Sequence, residues 1–113
     1  MDATTDFFTE LDARRHDSRL QNATGTLRFD LTNGKRKARW LVTMKKGDVN
    51  VSHAGTKADC VTRMSQGLFD QIVTGEENAM AAVLRGEIGI EGEPHLLVLF
   101  QRLFPAPQQA RNQ

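Results

Sequence analysis

Three histidines, a single cysteine and the adjacent carboxylates Glu76 and Glu77 are the leading candidates of this chain for metal, nucleophilic or acid–base chemistry. His16, His53 and His95 fall at a helix end, in a loop after a strand and at a helix start, without the HxxxH or HExxH spacing that sets two imidazoles on one helix face. They read as surface or structural histidines. Cys60 has no cysteine or histidine at ligand spacing and lies in a strand-like segment, where an inward thiol acts as a small hydrophobe. Neighbouring glutamates point to different sides of a helix, and both sit where the positive N-terminal end of a helix favours charge, so Glu76 and Glu77 read as capping residues. Gly86, Gly89 and Gly92 recur at intervals of three, yet they flank a strand instead of opening a helix, as a phosphate cradle requires. They read as a helix stop, a close backbone approach and a strand exit. No catalytic residue, metal or cofactor is expected, and the chain reads as a non-enzyme.

These residues sit on a legible series of elements. Asp6 to Leu11, with Phe7 and Leu11 at helical spacing, predicts a short docked helix, and His16 to Leu20 a further turn. From Gly25 the period becomes two: Leu27, Phe29 and Leu31 alternate with Arg28 and Asp30. Asn33-Gly34 is a hairpin turn, followed by Trp40, Val42 and Met44, a second turn at Lys46-Gly47-Asp48, and a short strand with Val49 and Val51. Asp59 to Met64, with Cys60, Thr62 and Met64 on one face, extends this into an antiparallel meander. Ser65 caps a helix over 65–74 carrying Leu68, Phe69, Ile72 and Val73, and a second helix over 77–85 presents Met80, Val83 and Leu84. Glu87 to Gly92 is a fifth strand. Pro94 at a first helical position and Pro105 as terminator predict a last helix over 95–104, whose apolar residues surround it so fully that it needs cover on two sides. Residues 105–113 form a polar tail.

Composition sets the class. At 113 residues, 39% hydrophobic and 26% charged, the chain has the length and makeup of one folded domain, core about 6–104. A net charge of +1 supplies no global field for phosphate, so no nucleic-acid partner is expected. Leu96 to Phe100, the longest apolar run, is far short of the roughly 20 residues of a spanning helix. The acidic N-terminus, the lone cysteine and the absence of a peroxisomal tripeptide point to a cytoplasmic protein. Lys35, Arg36, Lys37 and Arg39 form the one basic run, at a hairpin tip where charge blunts a sheet edge. Transient contact of Lys35, Arg36 and Lys37 with an anionic membrane surface is a second role for that tip.

The order of motifs carries more than any one of them: Gly25-Thr26-Leu27-Arg28-Phe29-Asp30-Leu31, Trp40, Asp59 to Ser65, Phe69, Thr74-Gly75, Leu84-Arg85-Gly86-Glu87-Ile88 and Ile90-Glu91-Gly92. The series resembles the sterol carrier protein type two family over nearly the whole chain, from about Phe7 to Phe104. The resemblance implies an α+β fold, a five-stranded, mostly antiparallel sheet covered on one side by helices. It also implies a hydrophobic tunnel between the layers that binds sterol, fatty acid, acyl-CoA or another lipid without catalysis. Leu27, Phe29, Trp40, Val42, Thr62 and Met64 from the sheet, with Phe69, Ile72, Met80, Leu84, Leu97 and Phe100 above them, are then the expected lining. Gln66-Gly67-Leu68 and Glu93-Pro94 depart from the family pattern and leave the headgroup preference open. Two functional readings stand. One is binding or transfer of an apolar ligand; the alternative is an accessory, scaffold or interaction module that presents a hydrophobic intermediate, such as an isoprenoid quinone or polyketide, to partner enzymes. Oligomeric state and native ligand are left open.

Overall fold

Asn33-Gly34 and Lys46-Gly47 turn the chain twice, so that β1 (Thr24–Asn33), β2 (Arg36–Lys45) and β3 (Asp48–Ser52) form two antiparallel hairpins in series. The computed structural model describes residues 2–105. Gly34 has φ +63, the left-handed conformation that a tight hairpin asks for. The meander ends there. β4 (Cys60–Ser65) does not pair with β3 but crosses to the far side of β1 and runs parallel to it, and β5 (Gly89–Gly92) pairs antiparallel with β4. The strand order is β3-β2-β1-β4-β5, a mixed and mostly antiparallel sheet.

The reason for the crossing lies at the edge of β3. The N–H of Val49 donates to the Arg15 carbonyl (2.8 Å) and that of Val51 to the Asp12 carboxylate (3.1 Å). Helix α1 (Ala3–Arg14) and the segment after it therefore occupy the hydrogen-bonding positions a fourth meander strand would need. β1 still had a free edge, and pairing there puts Cys60, Thr62 and Met64 beside Leu27, Phe29 and Leu31 on one buried face. Asp59 fixes the junction: its carboxylate accepts from Thr26 N–H (2.9 Å) and its carbonyl from Glu93 N–H (2.9 Å). The close backbone approach expected at Gly89 occurs instead at Gly92, where φ is +87 and a Cβ would stand 2.1 Å from the Asp59 oxygen.

The helices lie on the face of the sheet that carries Phe29 and Val42. α1 starts earlier than its apolar spacing suggests, because the Asp2 carboxylate caps Thr5 N–H at 2.7 Å. The shift makes Thr4, Phe8 and Leu11 its buried face. A 3-10 turn at Ser18–Leu20 replaces the second helical turn and buries Leu20. Ser65 caps α2 (Gln66–Val73) through Leu68 N–H at 3.1 Å, as its position predicts. α3 (Ala79–Leu84) is capped by Asn78 through Ala81 N–H (2.8 Å), not by the glutamates. Glu77 instead pairs with Arg85 and Glu76 accepts from the Thr74 hydroxyl. Pro94 opens α4 (Pro94–Phe100), which tightens into a 3-10 turn at Gln101–Leu103 before Pro105. Its circumference is not wholly covered, since Val98 is 46% exposed. Of the expected polar tail, only Pro105 lies within the described residues.

Candidate functional site

The groups that could do chemistry stay apart. His16 Nδ1 lies 2.8 Å from Asp48, His53 Nδ1 donates to the Arg39 carbonyl at 2.7 Å, and His95 faces Glu93 at 3.8 Å. Among the described residues, no three His, Cys, Asp or Glu side chains converge as metal ligands. Cys60 is fully buried, and burial pushes its thiol up, away from the reactive thiolate.

What the fold does bring together is apolar. All seven aromatic rings of the chain join one cluster between sheet and helices. Phe69 from α2, Phe8 from α1 and Trp40 from β2 stack in succession, with centroids 5.3 and 4.5 Å apart and planes within 3° and 15°. His53 lies tilted against the outer side of Trp40, with centroids 4.1 Å apart and planes 48° from parallel. Phe29 and Phe100 meet beneath it at 5.3 Å, and Phe7 and Phe104 close the side away from the sheet. Offset and edge contacts of this kind add about 0.5–1.5 kcal/mol per pair beyond burial.

Of the twelve residues expected to line a tunnel, Leu27, Phe29, Val42, Thr62, Met64, Phe69, Ile72, Leu97 and Phe100 are buried in this layer, and Trp40 and Met80 pack against it. Leu84 does not belong. It is 88% exposed, because the Asn78 cap sets the register of α3 so that Ala79 and Ala82 face inward. The one polar side chain among them, Thr62, donates to the Arg28 carbonyl at 3.2 Å, so the apolar layer contains no unpaired hydroxyl. Sequence spacing missed Phe8, the centre of the stack. The Thr4-Phe8-Leu11 pattern was its available signal, hidden by the equally good spacing of Phe7 and Leu11. Thr4 makes the choice, since its N–H and hydroxyl both donate to Asp70 of α2, at 3.0 and 2.6 Å.

The layer reaches the surface at the β1–β2 hairpin end. A concavity of about 300 Å³ there is walled by Leu31 and Trp40 from the apolar face, by Arg36 and Lys37 from the hairpin, and by Asp2, Thr4 and Gln66 from the helix starts. No helix among the described residues is long and apolar enough to cross a membrane.

Comparison with known proteins agrees with this architecture. The model of the SCP-2 sterol transfer family matches residues 8–105. Human sterol carrier protein 2 is 32% identical over 79 residues, covering 69% of this chain and 14% of that protein. This chain thus spans a small part of the length of its curated relatives. Sterol carrier protein 2 like 2 of Aedes aegypti superposes with a TM-score of 0.69 at 13% identity, over 89% of this chain and 95% of that one. The sec-alkylsulfatase Pisa1 of a Pseudomonas species superposes with a TM-score of 0.68 at 22% identity, over 88% of this chain and 16% of the enzyme. The structural likenesses are likenesses of fold.

Proposed function

The chain belongs to the SCP-2 sterol transfer family, whose membership implies binding or transfer of sterol or other lipid, and on that premise we propose that it shelters an apolar molecule between its sheet and helices without transforming it. The observation that carries this reading is the ring layer itself. Phe8, Phe29, Trp40, Phe69 and Phe100 form a continuous apolar volume, and its wall at Leu31 and Trp40 is shared with an outer concavity. A ligand entering there parts stacked rings and replaces ring–ring contacts with ring–chain contacts. Its affinity comes from apolar area withdrawn from water, about 25 cal/mol per Å². The hairpin-end concavity offers both charge signs, Arg36 and Lys37 against Asp2, to a polar head left outside.

The test is native mass spectrometry of the purified chain for retained lipid, together with titration of a fluorescent stearate and a fluorescent sterol. Because Trp40 is the only tryptophan and stacks on Phe8, a bound chain changes its emission. Retained lipid or micromolar probe binding with a Trp40 response supports the proposal. Absence of both overturns it.

A second reading has its own observation: the matched stretch is 14% of human sterol carrier protein 2 and 16% of the alkylsulfatase chain. On this reading the unit is an accessory or scaffold module that presents a hydrophobic intermediate to partner enzymes. Ligand binding that requires a partner enzyme distinguishes this reading.

A further inference from the structure

The net charge of +1 conceals a separation of charge. Between Thr24 and Ser65 there are nine basic and three acidic residues, a net of +6; between Gln66 and Glu93 there are six acidic residues and one basic, a net of −5. The first helix adds Asp2, Asp6, Glu10 and Asp12 with no basic residue before Arg14. Strands β1 to β4 with their turns therefore carry positive charge, and α1 to α3 with the segment up to Glu93, which includes Glu91 of β5, carry negative charge.

On the sheet face turned away from the helices, the basic side chains gather toward the hairpin end. Arg39 on β2 and Arg63 on β4 both stand in register with Asp30 on β1. The Asp30 carboxylate is already held by Arg28 through two bonds of 3.0 and 2.9 Å. Arg39 and Arg63 reach it only at 3.7 and 3.8 Å, with their side chains 43% and 52% exposed. Arg63 also pairs with Glu91, the other acidic residue of this face near them. Next toward the hairpin, Lys37 stands in register with Thr32 and Lys35 follows at the tip, both exposed, while Arg36 alternates to the helix-facing side. A concavity of about 440 Å³ lies between Asp30, Thr32, Lys37, Arg39 and Arg63, its one carboxylate already engaged by Arg28 and its volume enough for a phosphate group.

We propose that this basic sheet face, from the hairpin tip to Arg39 and Arg63, docks the protein on an anionic phospholipid bilayer. Charge complementarity names the partner's sign, and the shape names its class. The loop through Gly55 and Thr56 covers Leu41 and Arg28 on this face, and the open part toward the hairpin meets a flat surface with no projecting helix to enter a groove. All seven aromatic rings lie on the helical side, so the face offers no stacking platform for nucleic-acid bases. The acidic helical layer is repelled and turns outward. The same end carries the Leu31–Trp40 wall of the apolar interior, so docking brings that wall to the headgroups. The surface stands independently of what the interior binds.

The experiment is co-sedimentation with vesicles of phosphatidylcholine alone and of phosphatidylcholine with about one-third phosphatidylglycerol, at low and at physiological salt. Binding is expected only to the anionic vesicles and weakens with salt. Each basic side chain near such a surface accounts for about a five-fold change in partition, so the double replacement Lys35→Gln with Arg39→Gln, neither of which lines the hairpin-end concavity, lowers binding about 25-fold. Lys45→Gln with Lys46→Asn removes the same charge from the far end of β2 and lowers binding less than about five-fold. These side chains are exposed, so folding is expected to survive, and an unchanged circular dichroism spectrum verifies it. Equal losses in the two double variants, absence of binding to anionic vesicles at low salt, or preference for a DNA duplex over the vesicles overturns the proposal. Stearate binding without vesicles is read separately, so failure of docking and failure of ligand binding are told apart.

Discussion

Phe69→Ala separates a closed core from a ring layer that yields to a ligand. Phe69 is fully buried and its ring meets four others, Phe8 and Phe29 at 5.3 Å and Phe7 and Phe104 at 5.9 Å. Truncating such a side chain costs about 3–5 kcal/mol, a large share of the roughly 5–15 kcal/mol that holds a domain together. For a chain of this length 1 kcal/mol corresponds to about 4 °C, so the melting temperature falls by about 12–20 °C. The same truncation removes one ring that an incoming acyl chain has to displace. Stearate then binds about ten-fold tighter to the variant, and at a fixed excess of ligand this adds about 1.4 kcal/mol, about 6 °C, to the ligand-induced shift. The assay is thermal unfolding of both proteins with and without stearate. A fall in the expected range with an unchanged or smaller stearate shift refutes the reasoning, because the rings are then a closed core and the ligand sits elsewhere. Phe69→Leu, costing less than about 2 kcal/mol, carries the same comparison at smaller amplitude should the alanine variant unfold.

Leu84→Asp leaves melting and stearate binding unchanged because that side chain is in solvent, whereas Leu97→Asp, which buries a charge under α4, unfolds the chain; a urea titration compares them. Gly92→Ala costs more than about 2 kcal/mol, since its positive φ and the Asp59 oxygen leave no room for a Cβ; urea unfolding measures the loss. Asp17 gives a pH test. Its carboxylate takes two hydrogen bonds from the Arg19 guanidinium and lies 3.2 Å from Arg14, and the Arg19 bonds above all lower its pKa to about 2. A lowered carboxylate pKa stabilises the folded state at pH above the unfolded value of 3.8, and that stability disappears as pH falls through about 2. After allowance for the half-exposed arginines that cover it, Asp17→Asn is about 1–2 kcal/mol less stable than the parent at pH 7 and equal to it near pH 2. A difference that stays constant across that range contradicts the assignment.

Much of this molecule is legible in its sequence. Alternation at Leu27, Phe29 and Leu31 and at Cys60, Thr62 and Met64 told which side of each strand is apolar, because a strand's side chains alternate whatever it pairs with. Ser65 and Pro94 marked helix starts because capping depends on local backbone geometry. The sequence thus determined the elements, their inward faces and the surplus of apolar residues after Ser65.

Partners of those faces are long-range matters, and only the tertiary structure decided them. β4 lies beside β1 because Arg15 and Asp12 already fill the edge of β3, more than 30 residues away in the case of Val51 and Asp12. Phe8 displaces Phe7 from the centre of the stack because Thr4 is tied to Asp70 across the fold. Leu84 points to water because Asn78 caps α3. Lys37 and Arg39 of β2 and Arg63 of β4, more than 20 residues apart in the sequence, share one face only once Arg39 and Arg63 stand in register on either side of Asp30. Local spacing fixes which side of its own element a residue occupies. Which other element meets that side is set by the hydrogen bonds and apolar area the remaining chain still has to satisfy.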